Sequence, residues 1–205
     1  MTTFAVGGPP AAGKTTTAGC LGAALGLPVV SFDAAREHRY RPWGYTAARA
    51  EWHYRSGGPR ALHRYESLFE LRALEEAVRK PESRILDLGG GILVQHSPEA
   101  RARLETALAS VELVLVLPEP SDRRHCMVTL TTRVSGRGDQ SDSLAWLGNG
   151  GESIMRELLD ATLQRVQQGR PLICTSTPGD LEAGVAAAVA GRWHSTGIDA
   201  GGRTR

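Results

Sequence analysis

The chain contains 205 residues, of which 41% are hydrophobic and 22% are charged. These fractions and this length are typical of one folded globular domain and exclude a wholly disordered chain. The net charge of +2 excludes a uniformly basic nucleic-acid coat protein. Because the sequence has neither a long apolar run nor a basic-then-apolar start, it predicts no membrane-spanning helix and no secretory signal peptide. Its three cysteines are far apart, which favours neither a disulfide framework nor a zinc site, so a cytoplasmic location is expected.

Short apolar runs alternate with longer amphipathic segments, a pattern typical of an α/β fold with a mainly parallel sheet. Five segments have the length and apolar content of buried strands: 3–6, 28–32, 84–88, 111–117 and 171–175. Six segments are predicted to be helices: 14–25, 65–79, 98–109, 122–133, 152–167 and 180–190. The expected architecture has three layers, with helices on both faces of a five-stranded sheet.

Two segments interrupt this alternation. Residues 34–64 contain seven arginines and several aromatic residues but little apolar periodicity. Residues 134–151 are rich in Gly, Ser and Asp and are predicted to form a mobile loop. The polar residues 191–205 are predicted to be a flexible tail, which leaves 1–190 as a single domain.

The segment GPPAAGKT, from Gly8 to Thr15, matches the phosphate-binding motif G-x-x-x-x-G-K-[ST] in full. It follows a predicted strand and opens a predicted helix, as the motif requires. Its glycines let several backbone N–H groups point at one anion, and the helix N-terminus adds partial positive charge. Lys14 would reach the β- and γ-phosphates of a nucleotide, and the Thr15 hydroxyl would bind Mg²⁺. The residues expected to contact the nucleotide are Gly8, Ala11, Ala12, Gly13, Lys14, Thr15 and Thr16.

A phosphate-binding loop does not by itself name a reaction. The chain lacks the tetrapeptide N-K-x-D that recognises guanine, which weighs against a GTPase, and its length leaves no room for a large effector domain. These observations favour a small-molecule phosphotransferase.

Acidic residues and glycines follow two of the predicted strands. Asp33 comes just after the second strand, and Asp87 lies at the end of the third. Because the carboxyl ends of neighbouring parallel strands converge on the ligand crevice, both carboxylates are expected to face the transferred phosphate. Asp33 would orient and deprotonate an acceptor hydroxyl, and Asp87 would hold Mg²⁺. Gly89, Gly90 and Gly91 follow at once and are expected to allow close approach of a ligand.

The phosphate-binding loop, the aspartate after the second strand and the Gly-Gly-Gly after the third together resemble shikimate kinases and related small P-loop kinases. The resemblance covers about residues 1–190. It implies a P-loop kinase fold, ATP and Mg²⁺ as cofactors, a lid at 134–151 and a small hydroxylated acceptor. It also implies that Asp33 activates the acceptor hydroxyl and that the three glycines line the acceptor site.

The same resemblance assigns roles to three arginines. Arg64 would grip a carboxylate of the acceptor, Arg133 would contact the nucleotide, and Arg137 would act catalytically on the transferred phosphate. Ser31 stands where these kinases usually have a first aspartate that is associated with Mg²⁺, and Asp87 would supply what Ser31 lacks.

Three interpretations of residues 36–64 remain open from sequence. The segment is an acceptor-binding insert whose arginines grip carboxylate or phosphate, a platform for single-stranded nucleic acid, or a solvated surface whose aromatic residues pack on the core. The favoured function is an ATP-dependent kinase that phosphorylates a small polar metabolite or natural-product intermediate, with anionic acceptors included. Its partners would then be neither nucleic acid nor membrane. The alternatives are a nucleotide-dependent RNA- or protein-binding module, and a kinase acting on a nucleotide or sugar nucleotide.

Overall fold

A computed structural model describes residues 2–34, 36–136 and 140–191. Within these residues, all strands belong to one parallel sheet: β1 (Phe4–Gly7), β2 (Val29–Ser31), β3 (Ile85–Asp87), β4 (Glu112–Leu117) and β5 (Leu172–Cys174). Their spatial order is β2-β3-β1-β4-β5, so β1 is central and its direct neighbours are β3 and β4. The predicted five-stranded parallel sheet is confirmed, and all five carboxyl ends lie on the same edge.

Helices connect the strands. The described α-helices are α1 (Lys14–Leu25), α2 (Arg36–Tyr40), α3 (Ala47–Val78), α4 (Pro98–Leu108), α5 (Arg123–Ser135), α6 (Gln140–Trp146), α7 (Glu152–Gln167) and α8 (Pro178–Val189). A 3₁₀ turn (Arg41–Trp43) follows α2, and a π-helical turn (Leu147–Gly151) joins α6 to α7. No helix in the described residues is both long and apolar enough to span a membrane.

The sheet separates two apolar cores. Successive residues of β4 point to opposite faces, so Leu113 and Leu115 lie in one core while Val114 and Val116 lie in the other. The first core is completed mainly by α3 and α4, and the second by α1, α5, α7 and α8. Strands that are buried on both faces explain the continuous apolar runs in the sequence, and this arrangement confirms the three-layer architecture.

Helix α3 begins within the segment for which sequence periodicity predicts no helix. The described residues of the segment 34–64 contain α2, the 3₁₀ turn and the part of α3 from 47 to 64, which includes a break in that helix. The helix breaks at Gly57 and Gly58, and Pro59 starts its second half. Gly58 has φ 65° and ψ −164°, a backbone conformation that is almost exclusive to glycine.

The segment 134–151 differs from the predicted mobile loop wherever it is described. Residues 134 and 135 end α5, and 140–151 form α6 and the π-helical turn. Trp146 and Leu147 pack against the second core, which anchors this polar stretch. The turn also contacts the break in α3, since a Cβ at Gly58 would lie 3.1 Å from the carbonyl oxygen of Asn149. Within the predicted tail, residues 192–205 lie outside the described part of the chain.

We expect Gly58→Ala to lower the free energy of unfolding by about 1–3 kcal/mol, because alanine strongly disfavours this backbone conformation. The matched control is Gly19→Ala. Gly19 is exposed on α1 with open space around its Cα, so alanine there should raise the stability by up to about 1 kcal/mol. Urea unfolding of both variants measures the difference, and a Gly58→Ala midpoint at or above the wild-type value would contradict the assignment.

Candidate active site

A cavity of about 380 Å³ lies at the edge of the sheet where the strands end. Its walls are the loop after β1, the residues after β2, one face of α3, the glycines after β3, and apolar side chains of α6 and α7. The structure therefore brings eight of the residues singled out from sequence to one place: Ala11, Gly13, Lys14, Thr15, Thr16, Asp33, Gly90 and Gly91.

The loop after β1 has the shape of an anion cradle. Gly8 and Gly13 have positive φ angles of 151° and 99°, and a Cβ at Gly8 would lie 2.5 Å from the carbonyl oxygen of Val116. Ala11 also adopts a left-handed conformation, with φ 63°, which costs an alanine roughly 1 kcal/mol. The buried Lys14 donates a hydrogen bond from Nζ to the carbonyl oxygen of Pro9 at 3.0 Å. The left-handed Ala11 and the close packing of Gly8 give the loop a locally strained backbone, which is a common feature of binding sites.

Two side chains hold the loop by its carbonyl groups. Thr175 Oγ1 donates to the carbonyl oxygen of Ala12 at 2.7 Å. Arg133 donates to the carbonyl oxygens of Ala11 at 3.4 Å and Thr175 at 2.9 Å. Arg133, which we expected to contact the nucleotide, therefore braces the loop backbone and is not a lining residue of the cavity. Arg137, expected to be catalytic, lies outside the described residues.

The Thr15 hydroxyl and the Asp87 carboxylate meet where the loop after β1 passes into α1. Asp87 is buried at the end of β3, and its Oδ2 accepts a hydrogen bond from Thr15 Oγ1 at 2.9 Å. Burial raises the pKa of Asp87, and the bond from Thr15 opposes that shift. Two hard oxygen ligands beside a phosphate cradle fit Mg²⁺, which commonly takes only one or two protein ligands and completes its shell with phosphates and water. No cluster of three or more His, Cys, Asp or Glu side chains in the described residues is arranged to hold a metal by itself.

Three carboxylates surround one guanidinium at the other end of the cavity. Arg36 donates to Asp33 Oδ1 at 2.6 Å and pairs with Glu66 at 2.7 Å and with Glu70 at 3.8 Å. The Tyr45 hydroxyl donates to the second oxygen of Glu66 at 3.2 Å. Burial lowers the pKa of Arg36, but the carboxylates of Glu66, Glu70 and Asp33 outweigh it and hold that pKa above its ordinary value.

Glu70 is the most deeply buried of these carboxylates. Its side chain is 3% exposed, and Oε2 accepts no hydrogen bond within the described part of the chain. Burial raises the pKa of Glu70 to about 7, although Arg36 acts in the opposite direction. A Cβ at Gly89 would lie 2.5 Å from Glu70 Oε1, so Gly89 makes room for this carboxylate and, unlike Gly90 and Gly91, does not line the cavity.

A histidine pair supports the same wall. His63 Nε2 lies 2.9 Å from the carbonyl oxygen of Gly91, and His63 Nδ1 lies 2.9 Å from His96 Nε2. Because a carbonyl oxygen only accepts, Nε2 of His63 donates and its Nδ1 accepts from His96. Burial lowers the pKa of His63, which favours this neutral ring.

Sequence reasoning missed the residues that α3 contributes. His63, Glu66 and Glu70 follow a helical spacing of three and four residues, so they share the face that lines the cavity. Arg64 is exposed and does not line the cavity, so it is not placed to grip an acceptor there. Arg36 is the arginine of this segment that reaches the site.

The aromatic residues of the segment 36–64 serve mainly to build the core. Tyr40 is fully buried, stacks on Trp43 and Phe69, and meets Tyr45 edge-on. Trp52 is an exception, with 63% of its surface exposed. Rings that pack on one another in this way are not available to stack on bases, so the packing interpretation describes them best.

We expect Glu70→Gln to stabilise the folded protein at high pH. A carboxyl whose pKa is raised on folding, here from 4.5 to about 7, makes folding less favourable once the pH exceeds the lower value. The stability gain of the variant should therefore grow from near zero at about pH 4 to roughly 2–3 kcal/mol at about pH 8. Urea unfolding across this range measures it.

The control is Glu76→Gln on the same helix. Glu76 is half-exposed and pairs with Arg72, so its substitution should change stability by less than about 0.5 kcal/mol. If the two variants show the same pH dependence, Glu70 is not the destabilising buried acid that the structure indicates.

Comparison with known proteins adds the fold relationship. No family model matches the chain, and no curated protein matches it significantly. A shikimate kinase from Acinetobacter baumannii, solved in complex with shikimate, has a TM-score of 0.60 and 19% identity, covering 93% of this chain and 94% of that chain. A shikimate kinase from Bacteroides thetaiotaomicron has a TM-score of 0.53 and 17% identity, covering 91% and 95%. A gluconokinase from Sinorhizobium meliloti 1021 has a TM-score of 0.50 and 14% identity, covering 93% and 94%. Over nearly its whole described length, the chain therefore has the three-layer fold of shikimate kinase-like P-loop kinases.

Proposed function

We propose that this protein is an ATP-dependent kinase that transfers the γ-phosphate to a hydroxyl group of a small polar molecule. The observation that carries this proposal is that one cavity joins the phosphate cradle to Asp33. A donor nucleotide and an acceptor alcohol held at its two ends would meet in a space of about 380 Å³, which suits small molecules.

The nucleotide would bind with its phosphates in the loop after β1. Lys14 would exchange its bond to the Pro9 carbonyl oxygen for phosphate oxygens. Thr15 and Asp87 would hold Mg²⁺, which supplies neutralisation of phosphate charge when bound. Arg133 and Thr175 keep the loop in the shape that this binding needs.

The acceptor would bind beside Asp33. The carboxylate of Asp33 would take the proton of the acceptor hydroxyl, and the acceptor oxygen would form a bond to the γ-phosphorus. The bond between that phosphorus and the β–γ bridging oxygen breaks, and ADP leaves. Arg36 donates to Asp33 Oδ1 at 2.6 Å and thereby fixes the orientation of this carboxylate. Trp146 of α6 lines the cavity, which supports our assignment of the segment 134–151 to a lid that excludes water. The catalytic role of Arg137 stays a prediction from sequence.

The direct test is a screen of hydroxylated metabolites, nucleosides and sugar nucleotides with ATP and Mg²⁺, read as the mass gain of one phosphate.

Lys14→Ala should abolish the transfer, because the variant lacks the cation that neutralises charge on the transferred group. The chain has one other lysine, Lys80, which is exposed at the end of α3, so Lys80→Ala should retain full turnover and is the matched control. Undiminished transfer by Lys14→Ala would remove the loop from the reaction.

Asp33→Asn should lower kcat by roughly 10²–10⁴-fold while changing nucleotide affinity by less than about threefold, because it removes a general base at the acceptor end. Steady-state kinetics and titration with ADP and Mg²⁺ separate the two effects. Glu37→Gln is the control, since Glu37 lies nearby on α2 and pairs with the exposed Arg41. A loss of nucleotide affinity without a loss of kcat would place Asp33 at the wrong end of the cavity.

A further inference from the structure

The acceptor end of the cavity carries an excess of negative charge. Asp33 approaches it from the residues after β2, and Glu66 and Glu70 approach it from α3. Among the described residues, Arg36 is 2.6–3.8 Å from all three carboxylates, and the positive charge of Lys14 also acts on Glu70. Lys14 lies with the phosphate cradle, where a bound nucleotide would bring further negative charge.

The other arginines of the segment 36–64 do not reverse this balance. Arg60 lies beside the cavity on α3, but its guanidinium pairs with Glu157 and donates to Ser153 Oγ at 3.1 Å. Arg64 is exposed and is not a lining residue. An anionic acceptor would therefore meet like charge close by, which in a partly enclosed site disfavours binding.

One carboxylate oxygen in this cluster has no hydrogen-bond donor among the residues that the structure describes. Arg36 is tied to Asp33 and Glu66 by short bonds, and it approaches Glu70 only at Oε1 and only to 3.8 Å. Glu70 Oε2 is buried, belongs to a side chain that lines the cavity, and accepts no hydrogen bond from the described residues. A buried acceptor oxygen that lacks a donor is unfavourable, and a ligand that supplies an N–H group removes the deficit.

The geometry distinguishes an organic cation from a metal ion. No group of three or more His, Cys, Asp or Glu side chains in the described residues is arranged to hold a metal. The guanidinium of Arg36 lies among the three carboxylates, where a metal ion would be repelled. The adjoining wall is apolar and consists of Leu62, Trp146 and Leu158.

We propose that the acceptor is an amino alcohol, in which a protonated amine donates to Glu70 Oε2 and pairs with Glu70 and Glu66 while the hydroxyl lies at Asp33. This inference rests on the proposed kinase function and adds the substrate class. The amine and the hydroxyl are joined by an apolar scaffold that packs on Leu62, Trp146 and Leu158. Burial raises the pKa of Glu70 despite the nearby Arg36, which agrees with a carboxyl that a further cation would stabilise in its charged form.

The test compares four probes that share a phenyl ring and a benzylic hydroxyl and differ in charge. The cationic probe is 2-amino-1-phenylethanol, the neutral probes are its N-acetyl derivative and 1-phenylethane-1,2-diol, and the anionic probe is mandelate. Binding to the wild-type protein in the presence of ADP and Mg²⁺ is measured by ligand-observed NMR titration at pH 8. We expect the amine to bind at least about tenfold more tightly than mandelate and more tightly than either neutral probe.

Two variants test whether Glu66 and Glu70 cause the preference for the amine. Glu70→Gln and Glu66→Gln should each reduce the preference for the amine over the diol severalfold, and Glu76→Gln, which changes an exposed carboxylate on the same helix, should leave it unchanged. Circular dichroism confirms that each variant is folded. Because the wild-type series needs no substitution, a variant that fails to fold leaves the charge comparison intact.

The outcomes separate this inference from the proposed function. Absence of an amine preference in the wild-type protein, including failure of all four probes to bind, overturns the inference. So does a preference that survives both glutamate substitutions. Phosphate transfer from ATP to neutral or anionic alcohols with no amine preference would overturn the inference and leave the kinase function standing. Amine binding that depends on Glu66 and Glu70 without any transfer of phosphate to an alcohol would support the amine site and count against the kinase.

Discussion

The hydrogen bond between Thr15 and Asp87 joins the phosphate-binding loop after β1 to the buried carboxylate at the end of β3. It exists because β1 and β3 are parallel neighbours, with Val6 opposite Asp87, so the loop that follows β1 starts beside the end of β3. The same register places Ser31, at the end of β2, opposite Asp87 on its other side. Strand order alone thus brings a phosphate cradle, a buried carboxylate and the residues after β2 to one edge. The glycines after β3 lie at the same edge, and helices supply the remaining walls of the cavity.

Locally unfavourable features are concentrated around the same cavity. Ala11 is held in a left-handed conformation, Gly8 admits no side chain, and Glu70 is a buried carboxylate whose Oε2 accepts no hydrogen bond from the described residues. Each of them costs folding energy, and the bonds from Arg133 and Thr175 to the loop show that surrounding structure maintains part of the arrangement. Selection for stability alone would have removed such features, so their coincidence at one cavity points to a ligand.

Sequence identifies the parts of this site that are contiguous in the chain or lie at strand ends. The motif containing Lys14 and Thr15 sets its own geometry, and Asp33 and Asp87 follow from the rule that parallel strands converge at their carboxyl ends. The contribution of α3 was not predictable in this way. In a sequence, the buried face of a helix is recognised by its apolar residues. The face that bears Glu66 and Glu70 is buried but polar, so the sequence alone suggests that it faces solvent. For the same reason a count of arginines could not show that Arg36 faces the cavity while Arg64 faces solvent.

The two ends of the cavity have opposite charge, and this contrast would determine where a nucleotide and an acceptor lie in it. The cradle presents backbone N–H groups and Lys14 and attracts phosphates, whereas Asp33, Glu66 and Glu70 repel them. In the proposed function, a nucleotide would therefore be held in one orientation, with its γ-phosphate between the cradle and the acidic cluster. Arg36 stands at that boundary. By neutralising part of the acidic cluster, Arg36 would let an acceptor hydroxyl approach the transferred phosphate, and the carboxylates of Glu66 and Glu70 would select the molecule that carries this hydroxyl.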